Sequence, residues 1–480
     1  MSLFDRSKFA VLRSIFAGAV VIAALSVPGG EAMAQGVVGG VYIDPDGMLR
    51  QTSTLSEQDL RERLAREGGA VPAQFSAAAS PLRKISLRRL EQAVAALHES
   101  GQPVPADVRY LAGLTGIRCV LVFPEAEDVV IAGPAEGWQQ IPAGDVVGQQ
   151  SQRPVLQLDD LIVALRYAFA DRDEDSFLGC SIEPTEKGVQ AHGAFMRGIG
   201  EMNASRLPEV LQGLEQAVGP QDVHVYGVNP ATRFALQMIA ADYRLKRIAL
   251  AHEPSPSAKL PSYLDLAEKS IAGSKPRQHR WWFVGHYDAI RRTADNLAFE
   301  FEGQGLKVDT APVHAGDPQQ RDTSKPAKSA KQFADLATKH LPEMARKIPA
   351  VAELQNLVSL AVAGTLVRRQ SVDADRDGAG AAGPDAVAAS GASRRWRPRH
   401  FLDAEHCPVA TYITPRQTPS LANARFVRNQ IWMFSVCGGV EIDPARLADS
   451  DRLKPAAGNK LSDVRRQAAP PADADRWWWD

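Results

Sequence analysis

Residues 222–251, DVHVYGVNPATRFALQMIAADYRLKRIALA, decide the predicted fold. Residues 222–228 have the apolar and β-branched composition of a strand, and residues 245–251 have it again. Between them, Asn229 suits the N-cap of a helix and Pro230 suits its first position. A strand, a helix and a second strand in so short a stretch predict a βαβ unit, whose two strands run parallel.

The predicted unit also suggests where a ligand would bind. In open α/β sheets, ligands bind beyond the carboxyl ends of the parallel strands. One such end leads to Asn229 and Arg233, a helix start that suits an anion, and these are candidate binding residues. The other leads to His252 and Glu253, which are candidate catalytic residues for proton transfer. The alternative is that Asn229 only caps the helix and that His252 and Glu253 begin a surface loop.

The periodicity of the remaining sequence indicates a mixed α/β protein. Ser86 is a suitable N-cap for an amphipathic helix, and residues 117–123 and 129–132 form a hairpin pattern around a polar loop. Residues 280–310 alternate as short strands, and residues 331–347 and 351–367 have the spacing of two packed helices. We therefore predict a soluble, multi-segment α+β fold with at least one βαβ unit.

Composition shifts divide the chain into segments. We expect a signal peptide at 1–34, an N-terminal α+β domain at 35–170, an α/β domain at 171–370 with the βαβ unit at 222–251 and a C-terminal helical pair, a disordered insertion at 371–398, a β-rich segment at 399–444 and a disordered tail at 445–480. The insertion is rich in Ala, Gly and Asp, a composition that buries too little apolar surface to fold.

The N-terminus predicts export. Arg6, Lys8 and Arg13 precede an apolar run at 15–27 that is too short to span a bilayer comfortably, and residues 32–34, Ala-Met-Ala, suit signal peptidase. We expect cleavage after Ala34 and a periplasmic or secreted mature protein. The best later candidate for a membrane span, residues 350–367, contains Glu353 and reads as a core helix, so no stable membrane insertion is expected after cleavage.

Charge and motifs narrow the function classes. The chain has 55 Lys and Arg against 56 Asp and Glu, so it lacks the basic field that nucleic-acid binding needs. It contains no GxSxG, HExxH or phosphate-binding GxxxxGK[ST] motif, and we expect no cofactor. The four cysteines form no CxxC pair, so their spacing indicates neither a zinc site nor a redox centre, and three disulfide pairings stay open.

Two further segments have a possible binding role. Trp281 and Trp282 could stack on a sugar or a peptide, although such a run more often lies in a core. Asp373, Asp375 and Asp377 begin like a calcium loop with Gly378 as its turn, but no acid stands where the bidentate ligand belongs. The alternative for these three residues is a solvated acidic linker.

One sequence pattern recurs along the chain. GGVYIDP at 39–45 returns as GGVEIDP at 438–444, with a looser copy, GCSIEP, at 179–184. A repeated way of ending a strand is one explanation, because an acid before Pro is held extended. The alternative is that the first and last copies pair in one sheet.

Several segments resemble a secreted family of planctomycete bacteria that is known only as a domain of unknown function. The segments are RYLAGLTGIRCVLVFPEAEDVVIAGPAEGW (109–138), RPVLQLDDLIVALR (153–166), CSIEPT (180–185), ADYRLKRI (241–248), LPSYL (260–264) and RWWFV (280–284). The resemblance covers about residues 36–370 and 400–444, and it implies an exported protein without implying a reaction. The sequence thus favours a non-catalytic envelope or extracellular protein that binds or organises an unknown partner. The alternative is a hydrolase-like enzyme at the carboxyl edge of the βαβ unit.

Overall fold

The computed structural model describes residues 41–43, 49–51, 74–75, 78–141, 144–173, 176–200, 203, 205–270, 279–314, 317–321, 325–379, 395–427, 430–472 and 476–480. The predicted signal peptide lies outside these residues. The helices are α1 (Leu87–Glu99), α2 (Ala106–Arg109), α3 (Leu158–Phe169), α4 (Glu186–Gly198), α5 (Leu207–Val218), α6 (Arg233–Ala249), α7 (Tyr263–Ser270), α8 (Lys328–Lys339), α9 (Leu341–Lys347), α10 (Pro349–Ala379), α11 (Pro444–Leu447) and α12 (Lys460–Gln467).

The strands outnumber the helices and are mostly short. They are β1 (Val41–Ile43), β2 (Leu49–Gln51), β3 (Gln74–Phe75), β4 (Ser80–Ser86), β5 (Cys119–Phe123), β6 (Asp128–Ala135), β7 (Trp138–Gln140), β8 (Val146–Gly148), β9 (Leu178–Pro184), β10 (Gln221–Tyr226), β11 (His279–Gly285), β12 (Ala289–Arg292), β13 (Ala298–Glu302), β14 (Leu306–His314), β15 (Asp317–Arg321), β16 (Gln417–Thr418), β17 (Ala422–Val427), β18 (Gln430–Ile442), β19 (Lys454–Pro455) and β20 (Trp478–Trp479). The prediction of a mixed α/β fold is confirmed.

Two large sheets organise these strands. The eight-stranded sheet has the order β15-β14-β11-β18-β9-β10-β16, with β17 pairing to β18, and the seven-stranded sheet has the order β19-β12-β13-β5-β6-β4-β20. The predicted hairpin is confirmed as β5 and β6, which pair antiparallel. Ser86 caps α1 as predicted, since its side chain accepts a hydrogen bond from the Arg89 amide.

The prediction that residues 245–251 form the second strand of a βαβ unit is wrong. Residues 245–249 continue helix α6, and β10 pairs antiparallel with both β9 and β16. Met238, Leu245 and Ile248 are fully buried at helical spacing, so this apolar run belongs to one face of a helix rather than to a strand. The parallel pairs lie elsewhere, between β11 and β18 and between β12 and β19.

The repeated Gly-Gly pattern belongs to the centre of the larger sheet. β1 pairs with β2, so the first and last copies do not pair; the looser copy in β9 pairs with the last copy in β18. Gly438 has φ +125°, and a Cβ there would lie 2.1 Å from the Trp281 carbonyl oxygen. Glycine is therefore needed where β18 passes closest to β11.

Helix α10 forms the centre of the hydrophobic core. Its Pro349–Ser371 stretch is long and apolar enough to cross a membrane, but 89% of the relevant window is buried inside the protein. That burial is what the core helix of a soluble protein shows. The backbone of residues 371–379 is still helical, which corrects the predicted start of the disordered insertion; residues 380–394 lie outside the described residues.

The predicted disordered tail at 445–480 is also wrong for its described residues. They form α11, β19, α12 and β20, and β20 pairs with β4 at the edge of the seven-stranded sheet. Trp477 is 8% exposed and joins the main core. Trp477 is buried and Trp478 and Trp479 are half-buried, and the apolar area that they remove from water offsets the ordering of a polar, Ala- and Pro-rich segment.

Candidate metal centre

The candidate binding residue Arg233 and the candidate catalytic pair His252 and Glu253 do not lie in one site. Arg233 begins α6, whereas His252 and Glu253 follow its other end. A helix of 17 residues is about 25 Å long. One substrate-sized site cannot therefore contain Arg233 and the His252–Glu253 pair together.

Arg233 lies in a buried charge cluster. Its guanidinium contacts the carboxylates of Asp160 and Glu353, and all three side chains are almost fully buried. Burial raises the pKa of Glu353 to about 7, with a smaller contribution from Asp160, while Arg233 opposes the shift. Asn229 is not the helix cap: its side chain accepts from the Ala231 amide at 2.9 Å, and Thr232 caps α6. The cluster joins α3, α6 and α10 and serves the fold.

His252 and Glu253 bind different partners. His252 Nε2 lies 2.9 Å from the Ala422 carbonyl oxygen, and burial lowers the pKa of its ring. Glu253 forms ion pairs with Arg244 and Arg247, both on the last turns of α6. Arg247 also donates to the His252 carbonyl at 3.0 Å. These contacts fix the C-terminal end of α6. They fit the alternative interpretation, in which His252 and Glu253 begin the loop after the helix.

The two tryptophans proposed for ligand binding lie in the core, and the three aspartates proposed for calcium lie on a helix. Trp281 is 0% exposed, with its ring centroid 4.5 Å from that of Tyr263, and Trp282 is 6% exposed, so both lie in the core of the sheet. Asp373, Asp375 and Asp377 fall within the helical backbone of α10. A calcium loop needs a turning backbone around its ion, and this segment does not supply one.

A set of residues that sequence spacing missed does converge. His98 lies near the end of α1, and His400 and Cys407 lie in the segment between α10 and β16. The Nδ1 atom of His98 is 3.0 Å from the Nε2 atom of His400. The ligand atoms of all three residues lie within 4.8 Å of one another. Two imidazoles and one thiol thus meet at one point.

Glu91 holds His400 near His98. The Glu91 carboxylate accepts hydrogen bonds from the Arg399 amide at 2.7 Å, the Phe401 amide at 3.0 Å and the Trp396 indole at 3.1 Å. Burial raises the pKa of Glu91, and these donors oppose the shift. A side chain of α1 therefore fixes the backbone on both sides of His400, and Glu91 lies two turns before His98 on the same face of this helix.

Arg166 of α3 fixes the other half of the same segment. Its Nε donates to the Phe401 carbonyl at 2.9 Å, and its Nη2 donates to the carbonyls of Asp403 and Cys407. Cys407 is 0% exposed, and burial raises the pKa of its thiol to about 11. The three potential ligands are therefore placed by helices α1 and α3 rather than by a free loop.

The arrangement has the dimensions of a transition-metal site. Zinc binds imidazole nitrogen at about 2.0–2.1 Å and thiolate sulfur at about 2.3 Å. Tetrahedral geometry then separates two ligand nitrogens by about 3.3 Å, so the two rings, which are hydrogen-bonded at 3.0 Å, would move apart slightly to bind the ion. His98 and His400 are 302 positions apart in the chain, which no local motif search detects.

All four cysteines are free, buried thiols in the structure: Cys119, Cys180, Cys407 and Cys437. None of the three possible disulfide pairings is present. Burial raises the pKa of each thiol, so these groups are protonated unless a metal replaces the proton. Of the four, Cys407 is the one that meets two histidines.

Comparison with known proteins places a domain of unknown function in this chain. The family model described as "Protein of unknown function (DUF1598)" matches residues 180–263. That range runs from β9 into α7 and contains Arg233, His252 and Glu253, whereas His98, His400 and Cys407 lie outside it. No curated protein and no solved structure matches the chain.

Proposed function

We propose that this protein binds a zinc ion through His98, His400 and Cys407. The observation that carries the proposal is the convergence of the three ligand atoms within 4.8 Å, from two helix-anchored parts of the chain. A divalent ion bound there would replace the thiol proton and the hydrogen bond between the two rings, and it would accept one lone pair from each ring.

Zinc suits this ligand set better than other common ions. Calcium and magnesium prefer oxygen ligands, whereas imidazole and thiolate suit zinc and copper. Zinc imposes no geometry of its own and accepts tetrahedral sites, so it fits ligands whose positions are set by Glu91 and Arg166. Copper is the competing ion, and metal analysis of the purified protein separates the two.

The test is the metal content of the purified full chain after dialysis against zinc. We expect one zinc per chain by mass spectrometry of the metals. His98→Ala, His400→Ala and Cys407→Ser should each lose most of it. His224→Ala and Cys119→Ser are matched controls, one at an exposed histidine of β10 and one at a buried thiol, and both should retain the ion. Wild-type protein without zinc, or triad variants that keep it, would overturn the proposal.

We further propose that the protein is exported and acts in the cell envelope or outside the cell as a non-catalytic binding or organising protein. Arg6, Lys8 and Arg13, the apolar run at 15–27 and the Ala-Met-Ala at 32–34 support export. The hydrolase alternative has less support, because Arg233 and the His252–Glu253 pair lie at opposite ends of α6.

Mass spectrometry of the natively expressed protein tests export. A mature chain that begins at Gln35 and fractionates with periplasm or medium is the expected result. A chain that keeps residues 1–34 and stays in the cytoplasm would contradict it.

A further inference from the structure

We infer that the metal at His98, His400 and Cys407 keeps one coordination position open, where it holds an exchangeable water molecule or a small anion. The inference rests on the proposed zinc site. Among the described residues, only these three His, Cys, Asp or Glu side chains bring ligand atoms to that point. Zinc in proteins is almost always four-coordinate, and three protein ligands leave the fourth position to solvent or substrate.

The nearest acidic side chain along the chain, Asp403, is already engaged. Its Oδ1 accepts from the amides of Glu405 at 3.0 Å and His406 at 3.1 Å, and its Oδ2 lies 2.8 Å from Nδ1 of His406. These bonds close the turn that leads to Cys407. Asp403 would have to give up the turn in order to bind the metal.

His406, the neighbour of Cys407 in sequence, points elsewhere. Its side chain is 70% exposed, whereas Cys407 is fully buried. Two adjacent residues with such different exposure lie on opposite sides of the backbone. The imidazole of His406 is therefore held by Asp403 at the surface, away from the buried sulfur.

Three further acids lie near the centre. Glu99, the exposed neighbour of His98 on α1, is close enough to His400 to interact with it electrostatically, so Glu99→Gln belongs among the test variants. The other two acids are occupied. The Glu91 carboxylate accepts from three donors of the 396–401 segment. Asp159 on the first turn of α3 accepts from the Ala410 amide at 3.1 Å. Each carboxylate stabilises the segment that carries the metal ligands, so neither is available as a fourth ligand.

The site lies where the core meets the surface. Cys407 is fully buried, while His98 and His400 are half-buried. The sulfur would therefore hold the ion from the interior, and the two partly exposed histidines place the site near solvent. Water bound there would lose a proton more easily than bulk water does, because the ion stabilises hydroxide. The site can thus bind water or a small monodentate anion.

Cobalt substitution tests the inference on the full chain. Co²⁺ takes the place of zinc and reports its ligands: a thiolate-to-metal charge-transfer band shows Cys407 bound, and the visible d–d bands show the coordination number. We expect thiocyanate to shift the d–d bands in a saturable way while the thiolate band persists. Glu99→Gln and His406→Ala should give the same spectra and the same thiocyanate response as the wild type.

The outcomes separate the two proposals. If the protein takes up neither Zn²⁺ nor Co²⁺, the zinc site itself is wrong. If Co²⁺ binds with its thiolate band but thiocyanate changes nothing, the fourth position is closed and only the present inference fails. A changed d–d spectrum in Glu99→Gln or His406→Ala would identify that residue as the fourth ligand and would equally overturn it.

Discussion

Glu353 shares the guanidinium of Arg233 with Asp160, so two buried carboxylates face one cation. A single arginine cannot compensate for two desolvated negative charges. One proton relieves the imbalance, and the raised pKa of Glu353, about 7, indicates where that proton resides. The side-chain oxygen of Gln157 also accepts from Arg233, from Nε at 3.0 Å and from Nη2 at 3.1 Å. The cluster is thus a proton-binding part of the core.

Stability should fall as the pH rises through the titration range of Glu353. The folded-state pKa, about 7, lies above the ordinary value of 4.5, so the folded protein binds more protons between these values. The stabilisation is complete below about pH 4.5 and is lost by about pH 7, and it amounts to at most about 3 kcal/mol. Glu353→Gln, which is neutral at every pH, should remove this slope.

Urea unfolding of wild type and Glu353→Gln at several pH values measures this difference. The control is Glu186→Gln, an exposed glutamate on the first turn of α4, which should keep the wild-type slope. Equal slopes for the wild type and Glu353→Gln would show that Glu353 is ionised throughout.

At the scale of elements, the segment from residue 395 to β16 has almost no regular secondary structure yet is held at many points. Long irregular segments of this kind in compact folds are usually functional. Glu91 and Arg166 fix its first half, and the Tyr412 amide donates to the Ala231 carbonyl at 2.9 Å in its second half. Side chains of helices α1 and α3 thus form hydrogen bonds with backbone groups of this segment that would otherwise be bound by a neighbouring strand.

Glu91 should act as a positioning residue for the metal. Glu91→Gln keeps the size of the side chain but replaces one carboxylate oxygen by a donor that faces backbone amides. We expect zinc affinity to fall about 10- to 100-fold, the usual effect of losing a group that orients a ligand. Competition with a chromophoric chelator measures it. The matched control, Gln92→Ala at an exposed position of the same helix, should bind zinc like the wild type.

A purely structural role for Glu91 would give a different result. Unfolding of the zinc-free protein by urea would then show a loss of stability while the zinc affinity of the folded fraction stayed unchanged. Glu91→Asp, which keeps the charge, should restore part of the affinity if orientation of His400 is the cause.

At the scale of the whole molecule, the sequence predicted contacts between neighbours in the chain and missed those between distant segments. The β5–β6 hairpin and the Ser86 cap depend on residues close in sequence, and both are confirmed. Residues 245–249 were misread because a short apolar run fits a strand and a buried helix equally well. The metal centre and the docking of Trp477 depend on tertiary packing, for which single-chain patterns contain no signal.

A long-range contact joins β4 to the residue that follows β20, at the edge of the seven-stranded sheet. Arg83 on β4 is 0% exposed, and its guanidinium binds both side-chain oxygens of Asp480, at 2.8 and 3.0 Å. Its remaining donors reach the carbonyls of Ala112 and Ala78. The Trp478 ring lies over the same guanidinium, 4.4 Å from its centroid. Arg83 is thus a buried cation whose carboxylate partner among the described residues, Asp480, directly follows β20.

Asp480→Ala should therefore loosen β20 from the sheet. The substitution leaves the Arg83 charge buried without a counter-charge, and since Asp480 is 44% exposed we expect a loss of about 1–3 kcal/mol, less than for a fully buried pair. Asp463→Ala breaks an exposed ion pair with Arg466 and should cost less than about 1 kcal/mol. Urea unfolding measures the stabilities, and exchange of the Ser86 amide, which donates to the Trp477 carbonyl at 2.9 Å just before β20, measures the loosening. Equal stabilities and unchanged exchange in the two variants would mean that Trp477 and the strand pairing hold β20 without Asp480, and that solvent already reaches Arg83 when the carboxylate is gone.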